Sequence, residues 1–406
     1  MLRKFIGLLS GVIAFTAVFS FSSETARSVV AQPAPQVVIL WHNASGPALD
    51  GLHWIINQYQ TSHPDIQIVA RYIDGDLQTA YLNAFRAQRS PDIFLGESSW
   101  AGSLAELNAI ISVDARLNDS LTARAYPTAW QTVRYHGETF GIPNSAECLA
   151  LYYNSSLVGQ LPNNFDDLLS KVKGKTPAAL NMAYDFYTTA GLYFGLGGRL
   201  IDDNDQSLLN VNETLTKYLA LLQKSYAANP LTTLLPGAVP TMSDTPFRLG
   251  QSAYLIDGNW KLADLDRYLN LHLRVAMLPE ISNGHPWQPL VGTKAFFLSA
   301  NSDRLDAAFD FATYALDRVP QTVTAALGEL PPVNLNARVD NTLLMTFTKQ
   351  CSAGQAISPS PKLTAYWRAL DHATFAVTVN GEAPDITAIS AINQITVQSI
   401  TATPQP

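Results

Sequence analysis

Val37-Val38-Ile39-Leu40-Trp41 is a continuous apolar run near the start of the chain, and its length and β-branched content suit a strand buried on both faces. Asn43 to Gly46 reads as a loop. Pro47 then fits the first turn of a helix in which Leu49, Leu52, Ile55, Ile56 and Tyr59 recur at helical spacing until His63-Pro64 stops it. Ile66 to Tyr72 is predicted as a second strand. Leu77, Ala80, Tyr81, Ala84 and Phe85 mark a second amphipathic helix, and Ser90-Pro91 introduces a third buried strand, Asp92-Ile-Phe-Leu95. The order strand, helix, strand, helix, strand predicts an α/β fold with a parallel sheet. In such sheets ligands gather at the carboxyl ends of the strands. Asn43 to Gly46 and Gly96 to Trp100 occupy those ends, which makes Asn43, Ser45, Glu97 and Trp100 candidates for ligand contact.

Farther along, Val133-Arg-Tyr135 and Glu138 to Ile142 flank His136-Gly137, the pattern of a tight hairpin with glycine at positive φ. Pro143-Asn144 leads toward the apolar strand Cys148-Leu-Ala-Leu-Tyr-Tyr153. Residues 160 to 290 hold a second alternating set, with Leu215 to Tyr226 as a helix and Ser252 to Ile256 as a strand. That strand turns through Asp257-Gly258-Asn259 and sets Trp260 just past its end, where a large aromatic faces a cleft or a neighbouring domain. Pro289-Leu-Val-Gly292 and Pro331-Pro-Val-Asn334 punctuate the periodic sequence, and Leu363 to Phe375 reads as a helix carrying Trp367.

At 406 residues the chain exceeds what one core normally supports, so two domains are expected. Charged residues make up only 15% and the net charge is −7, which argues against nucleic acid as a partner. Residues 1–31 carry Arg3 and Lys4, an apolar run from Phe5 to Phe21, and a polar stretch ending Val29-Val30-Ala31, the layout of a cleavable export signal. A retained anchor is the alternative, and the Ala-ended site favours removal. Loss of the leader takes the charge from −7 to −9. Neither cysteine lies near the signal, so a soluble periplasmic protein without a lipid-modified cysteine is expected. Cys148 and Cys351 could pair in that oxidising compartment, although Cys148 reads as a small core residue. The seven histidines show no metal-ligand spacing, and Gly191 to Gly198 lacks the context of a dinucleotide loop. No cofactor and no metal are implied.

Trp41, Ser90-Pro-Asp-Ile-Phe94, Trp130-Gln-Thr-Val-Arg-Tyr-His-Gly137, Tyr152-Tyr-Asn154, Asp257-Gly-Asn-Trp260 and Tyr366-Trp367 occur in an order and spacing that resembles the family 1 extracellular solute-binding proteins of ABC importers, the maltose-binding type. The resemblance covers nearly all of the mature chain. It implies a two-lobed, type II periplasmic-binding-protein fold with a central cleft and hinge crossings. The lobes implied are 36–146 plus 293–332 and 147–290 plus 335–400, with hinges near Ala146, Val291 and Val333. In that branch a glutamate four residues after a proline contacts ligand, and Pro143-Asn-Ser-Ala-Glu147 matches it. An acidic residue two before a tyrosine and ahead of a Gly-Gly pair also contacts sugar, which points to Asp185 and Tyr187 before Gly197-Gly198. Two stacking tryptophans fall on Trp260 and Trp367. The near-lobe segment departs from the branch, reading Gly96-Glu-Ser-Ser-Trp100, and the first loop has Ala44-Ser45 in place of an acid and a lysine. Glu97 and Trp100 would then supply different contacts, for another disaccharide, a short oligosaccharide or a glycosylated osmolyte.

Each residue type suits a neutral sugar: aromatic faces cover the apolar side of a pyranose, burying area at about 25 cal/mol per Å², and carboxylates accept hydroxyl protons at roughly 1.5 to 3 kcal/mol each. Each also has a structural alternative. Tryptophans pack lobes together, Glu147 could be a surface ion-pair partner, Asp185 a helix cap, Tyr187 a core residue, and Glu97 a cap for Ser98 to Leu107. The rival function is a secreted glycoside hydrolase using Glu97, Glu147 and Asp185; against it, the opening pattern is not that of an eightfold barrel and the acids come from different lobes. The expected protein is a monomeric, non-enzymatic sugar carrier that docks on a membrane permease driven by a separate ATPase.

Overall fold

The computed structural model describes residues 34–173, 179–202, 204–209, 213–229, 244–281 and 284–401. The leader read over residues 1–31 lies outside them. The opening units form as expected: β1 (Gln36–His42), α1 (Gly46–Ser62), β2 (Ile66–Tyr72), α2 (Leu77–Arg86) and β3 (Ile93–Glu97). α1 buries Leu52, Ile55, Ile56 and Tyr59 on one face, and the Tyr59 hydroxyl donates to Asp310 at 2.8 Å. Asp76 caps α2 by accepting the Thr79 N–H at 3.1 Å. β1 lies parallel to β2 and β3. The predicted hairpin is β4 (Arg134–Tyr135) with β5 (Glu138–Thr139), turning at His136 (φ 48°) and Gly137 (φ 85°).

The remaining strands are β6 (Ile142–Asn154), β7 (Ala179–Asn181), β8 (Ser252–Gly258), β9 (Leu273–Ala276), β10 (Leu290–Leu298) and β11 (Gln355–Ala356). Among the described residues the main sheet runs β2-β1-β3-β10-β6-β8-β7, with β11 on β10 and β9 on β6. β3, β10, β6 and β8 are successively antiparallel, so a parallel start is joined to a mixed continuation through two central strands. Sequence reasoning places Pro143 before a strand; instead it lies inside the 13-residue β6. Proline has no N–H to give the ladder, and the β6–β10 register shifts where Pro143 faces Ala295.

The core divides into three clusters. Val38, Leu40, Ile93 and Leu95 share one with Cys148, Ala150, Tyr152, Leu255 and Leu265. Phe94, Tyr81, Leu104, Ala295 and Phe297 form a second, and Leu149, Leu151, Tyr184, Phe186, Leu219 and Tyr366 form a third. One core therefore spans both halves of the molecule, while each half keeps another of its own.

Three segments run side by side where the halves meet. Ala146 of β6 pairs with Thr293 of β10 and donates its N–H to Pro331 O at 2.8 Å. Gln321, fully buried on the helix Arg318–Ala326, ties them together. Its amide donates to Asn144 O (2.8 Å) and Ala315 O (3.0 Å) and accepts from Val333 N (2.8 Å) and Asn334 N (3.3 Å). Cys148 is not a free core residue as the sequence suggests: it is bonded to Cys351 at the end of the helix Thr342–Ser352. The two positions are 203 residues apart, beyond what local patterning can register.

Gln321→Leu would leave four buried backbone groups without partners and is expected to lower unfolding stability in urea by about 3 kcal/mol or more. Replacing Cys148 and Cys351 together by serine is expected to cost about 2 to 4 kcal/mol in the same measurement.

Candidate functional site

The carboxyl end of β3 carries Glu97, whose register partner on β10 is Lys294. Lys294 faces Ser145 across to β6, and Glu147 follows two residues later, opposite Gly292. The Lys294 ammonium hydrogen-bonds Glu97 Oε1 and lies 3.8 Å from Glu147 Oε1. One cation thus serves two carboxylates. Burial raises the Glu147 carboxyl above its ordinary range; Lys294 opposes this and Glu97 adds to it. Burial draws the Lys294 ammonium down, yet Glu147 and Glu97 outweigh it and leave it raised. All three side chains keep part of their surface open to solvent. Since a carboxylate offers about four acceptor sites, most of this acceptor capacity is available to a ligand that brings hydroxyl donors.

Glu147 lies on the face of β6 that carries Leu149 and Leu151 of one core. Lys294, opposite Ser145 on that face, pairs with Glu97 at the end of β3, whose Phe94 belongs to another. Glu147 is thus tied through Lys294 to the first half. Aromatic rings lie on both cores. Trp100, at the end of the short 3₁₀ turn Ser98–Trp100, packs on the first-half core. In the second half Tyr187 lies 6.3 Å from Trp260 and 6.4 Å from Trp367, centroid to centroid. Trp260 is 47% exposed, too open for a ring that merely fills a core. The Tyr187 phenol is raised by burial and then by the charges of Glu147, Asp185, Asp257 and Glu97, all within electrostatic reach of it.

The other expectations divide. Glu97 occupies a helix-start position but makes no capping hydrogen bond; its carboxylate turns to Lys294 instead. Asp185 does cap the helix Phe186–Gly195, accepting the Thr188 N–H at 2.7 Å, and stands within electrostatic reach of Tyr187. Trp367 packs against Phe186 at 5.1 Å on one side and nears Tyr187 on the other. Asn43 and Ser45 are exposed in the β1–α1 loop, and pairing of Trp41 with Phe94 brings that loop to the edge where Gly96 and Glu97 lie. Ser45 makes no side-chain cap to α1. Gly191 and Gly195, read as a glycine-rich stretch, are close-approach positions against Trp287 and Pro286. Among the described residues no group of three His, Cys, Asp or Glu side chains is disposed to hold a metal.

Sequence reasoning missed Lys294. Its signal was a lone cation within the apolar run Leu290-Val-Gly-Thr-Lys-Ala-Phe-Phe-Leu298, where a buried charge requires partners. It also missed a contact beside the cleft. The Tyr135 hydroxyl donates to Glu106 Oε1 at 2.7 Å and lies 3.0 Å from Asp205 Oδ2. His136 Nε2 reaches the same Asp205 oxygen at 3.1 Å. Val133, beside this hairpin, belongs to the first-half core and Leu200 and Leu209, flanking Asp205, to the second. His136 and Asp205 both adopt positive φ, 48° and 59°, conformations that non-glycine residues seldom hold without a local reason.

The chain as a whole is similar to known proteins. The family model of the bacterial extracellular solute-binding proteins matches residues 54–345. A maltotriose-binding protein of Pyrococcus abyssi is 26% identical over 368 residues, covering 87% of this chain and 80% of its own. A maltooligosaccharide ABC transporter solute-binding lipoprotein of Streptococcus pneumoniae is 25% identical over 300 residues, 68% of this chain and 69% of its own. Among solved structures, a cyclo/maltodextrin-binding protein complexed with maltotetraose superposes with a TM-score of 0.80 at 20% identity, over 92% of this chain and all of that one; at that identity the likeness speaks for the two-lobed fold. With the match spanning most of its length, the chain belongs to the bacterial extracellular solute-binding protein family.

Proposed function

We propose that this protein is the solute-capturing component of an ABC importer and that it takes a neutral di- or oligosaccharide, with short malto-oligosaccharides the first class to test. The observation that carries the reading is the Glu97–Lys294–Glu147 centre together with Trp100 packed on one core and Tyr187 and Trp367 packed on the other, beside the exposed Trp260. Acids rich in acceptor capacity, together with rings, match a ligand with hydroxyls around its edge and apolar faces. The names of the relatives point the same way: one binds maltotriose and another serves a maltooligosaccharide transporter.

The lobes proposed are 36–146 plus 293–332 and 147–290 plus 335–400, closing by hinge motion near Ala146, Val291 and Val333. The juxtaposition of Ala146, Thr293 and Pro331 supports such an axis. Reversing a hundredfold preference for an open form takes about 5.5 kcal/mol of differential binding, and a sugar touching both sets of rings can supply it. After removal of the leader near Ala31 the protein would work in the periplasm, delivering sugar to permease subunits powered by a separate ATPase. The hydrolase alternative finds little support in the geometry: Glu97 is held by Lys294 and Asp185 serves a helix terminus.

Calorimetric titration with glucose, maltose, maltotriose and maltotetraose tests the reading, and failure of every one to bind rejects malto-oligosaccharides as the ligand. Trp260→Ala is expected to weaken binding by about tenfold or more with the fold intact, a loss of about 1.4 kcal/mol. Glu147→Gln is expected to weaken binding by about 1 to 3 kcal/mol while raising the unfolding midpoint of the ligand-free protein at pH 7. The folded protein holds a proton on Glu147 more tightly than the unfolded chain does, so stability falls as pH rises from the ordinary carboxylate range to the raised folded value. Glutamine removes that loss. Its advantage should vanish at acid pH, below the ordinary range, and grow as pH rises; a midpoint at or below wild type at pH 7 contradicts the assignment.

A further inference from the structure

We propose that Gly96 and Gly258 are positioning residues for the sugar site, each a bare stretch of backbone on which an indole, Trp100 or Trp260, lies flat with its opposite face toward the ligand. The inference rests on the reading of those tryptophans as ligand-facing and goes on to name what orients them.

The two sites are built alike. Gly96 is the penultimate residue of β3 and Gly258 the last of β8. A 3₁₀ turn follows each, Ser98–Trp100 and Asn259–Lys261, and carries the tryptophan back over the strand end. A Cβ added to Gly96 would meet Trp100 at 2.4 Å (Cζ3) and 2.7 Å (Cε3). At Gly258 it would meet Trp260 Cη2 at 2.2 Å and Cζ2 and Cζ3 at 2.3 Å. Carbon atoms in contact settle at about 3.5 to 4.0 Å, so neither ring can stay where it is above even an alanine.

The glycines are not there for backbone freedom. Neither has positive φ, and Gly258 sits at φ −87°, ψ 166°, extended geometry open to any residue. Nor is this ordinary core packing. Gly191 approaches Trp287 as closely, but Trp287 is only 3% exposed, whereas Trp260 is 47% exposed and Trp100 partly so. An exposed indole pressed to backbone on one face offers a flat surface on the other.

The support beneath Trp260 is itself fixed. Asn259 accepts the Cys148 N–H at 3.1 Å, the Tyr152 hydroxyl donates to Gly258 O at 2.8 Å, and Asp257 accepts the Gly258 N–H at 2.7 Å. Both glycines adjoin the charged centre. Gly96 precedes Glu97, and Gly258 pairs with Leu149, two residues beyond Glu147. The height and tilt of each ring relative to the acids therefore depend on the bare backbone beneath it, with the Trp260 side chain also donating a hydrogen bond to Asp257.

A double-mutant cycle with maltotriose tests this. Gly258→Ala is expected to weaken binding by about fivefold or more, yet to change it by less than about twofold when Trp260 is already alanine. Equal losses in both backgrounds overturn the proposal. A second readout needs no ligand: the near-ultraviolet circular dichroism due to Trp260, taken as wild type minus Trp260→Ala, should change in Gly258→Ala. If that signal shifts while Trp260→Ala leaves affinity unaltered, the positioning role stands and the ligand-facing reading of Trp260 falls. Should Gly258→Ala fail to fold, recovery of folding in Gly258→Ala/Trp260→Ala supports the clash, and the same cycle at Gly96 and Trp100 decides the remainder.

Discussion

One ammonium placed between two carboxylates governs the centre of this molecule. Lys294 reaches both Glu97 and Glu147 from three adjacent antiparallel strands, so the register of the sheet fixes the charges relative to each other. A partly buried acid that is only half compensated holds its charge at a disadvantage in the empty protein. The proposed polyhydroxylated ligand would relieve that disadvantage by donating hydrogen bonds without adding charge. Binding and stability would then oppose each other at the same atoms, a common condition of functional sites.

Everything that keeps this centre in register lies immediately around it. Gln321 fastens the β6 crossing to the Val333–Asn334 crossing. The residue after Glu147 is anchored by a disulfide to the helix Thr342–Ser352, and its N–H is held by Asn259 in the turn that bears Trp260. The acid, the aromatic turn and the crossing thus share backbone, and displacement of one is transmitted to the others through bonds rather than through loose packing.

The sequence made much of this legible. The first three strands and two helices could be read within a residue or two, because apolar periodicity, Pro47, His63-Pro64 and Ser90-Pro91 act locally. The place of Trp260 just past a strand end was legible from Asp257-Gly258-Asn259, while its role and that of Glu147 rest on the resemblance and are proposals. What escaped reading was non-local. The pairing of β3 with β10 brings Glu97 to Lys294 across 197 positions, and the Cys148–Cys351 bond spans 203; no window along the chain contains either. Pro143 was misread for a different reason, since proline normally ends a strand and here is absorbed by an irregular register. Asp185 takes the structural role that was its alternative, with an oxygen on a helix N–H, and its charge is also felt at Tyr187.

The uneven division of the hydrophobic core has a mechanical outcome. The cluster that joins Val38 and Ile93 to Tyr152 and Leu265 behaves as the spine of a book. Prising it apart would wet apolar surface at about 25 cal/mol for every Å², whereas the two clusters confined to one half each share no such surface. On the proposed hinge motion the leaves would part between those two clusters and stay bound along the spine.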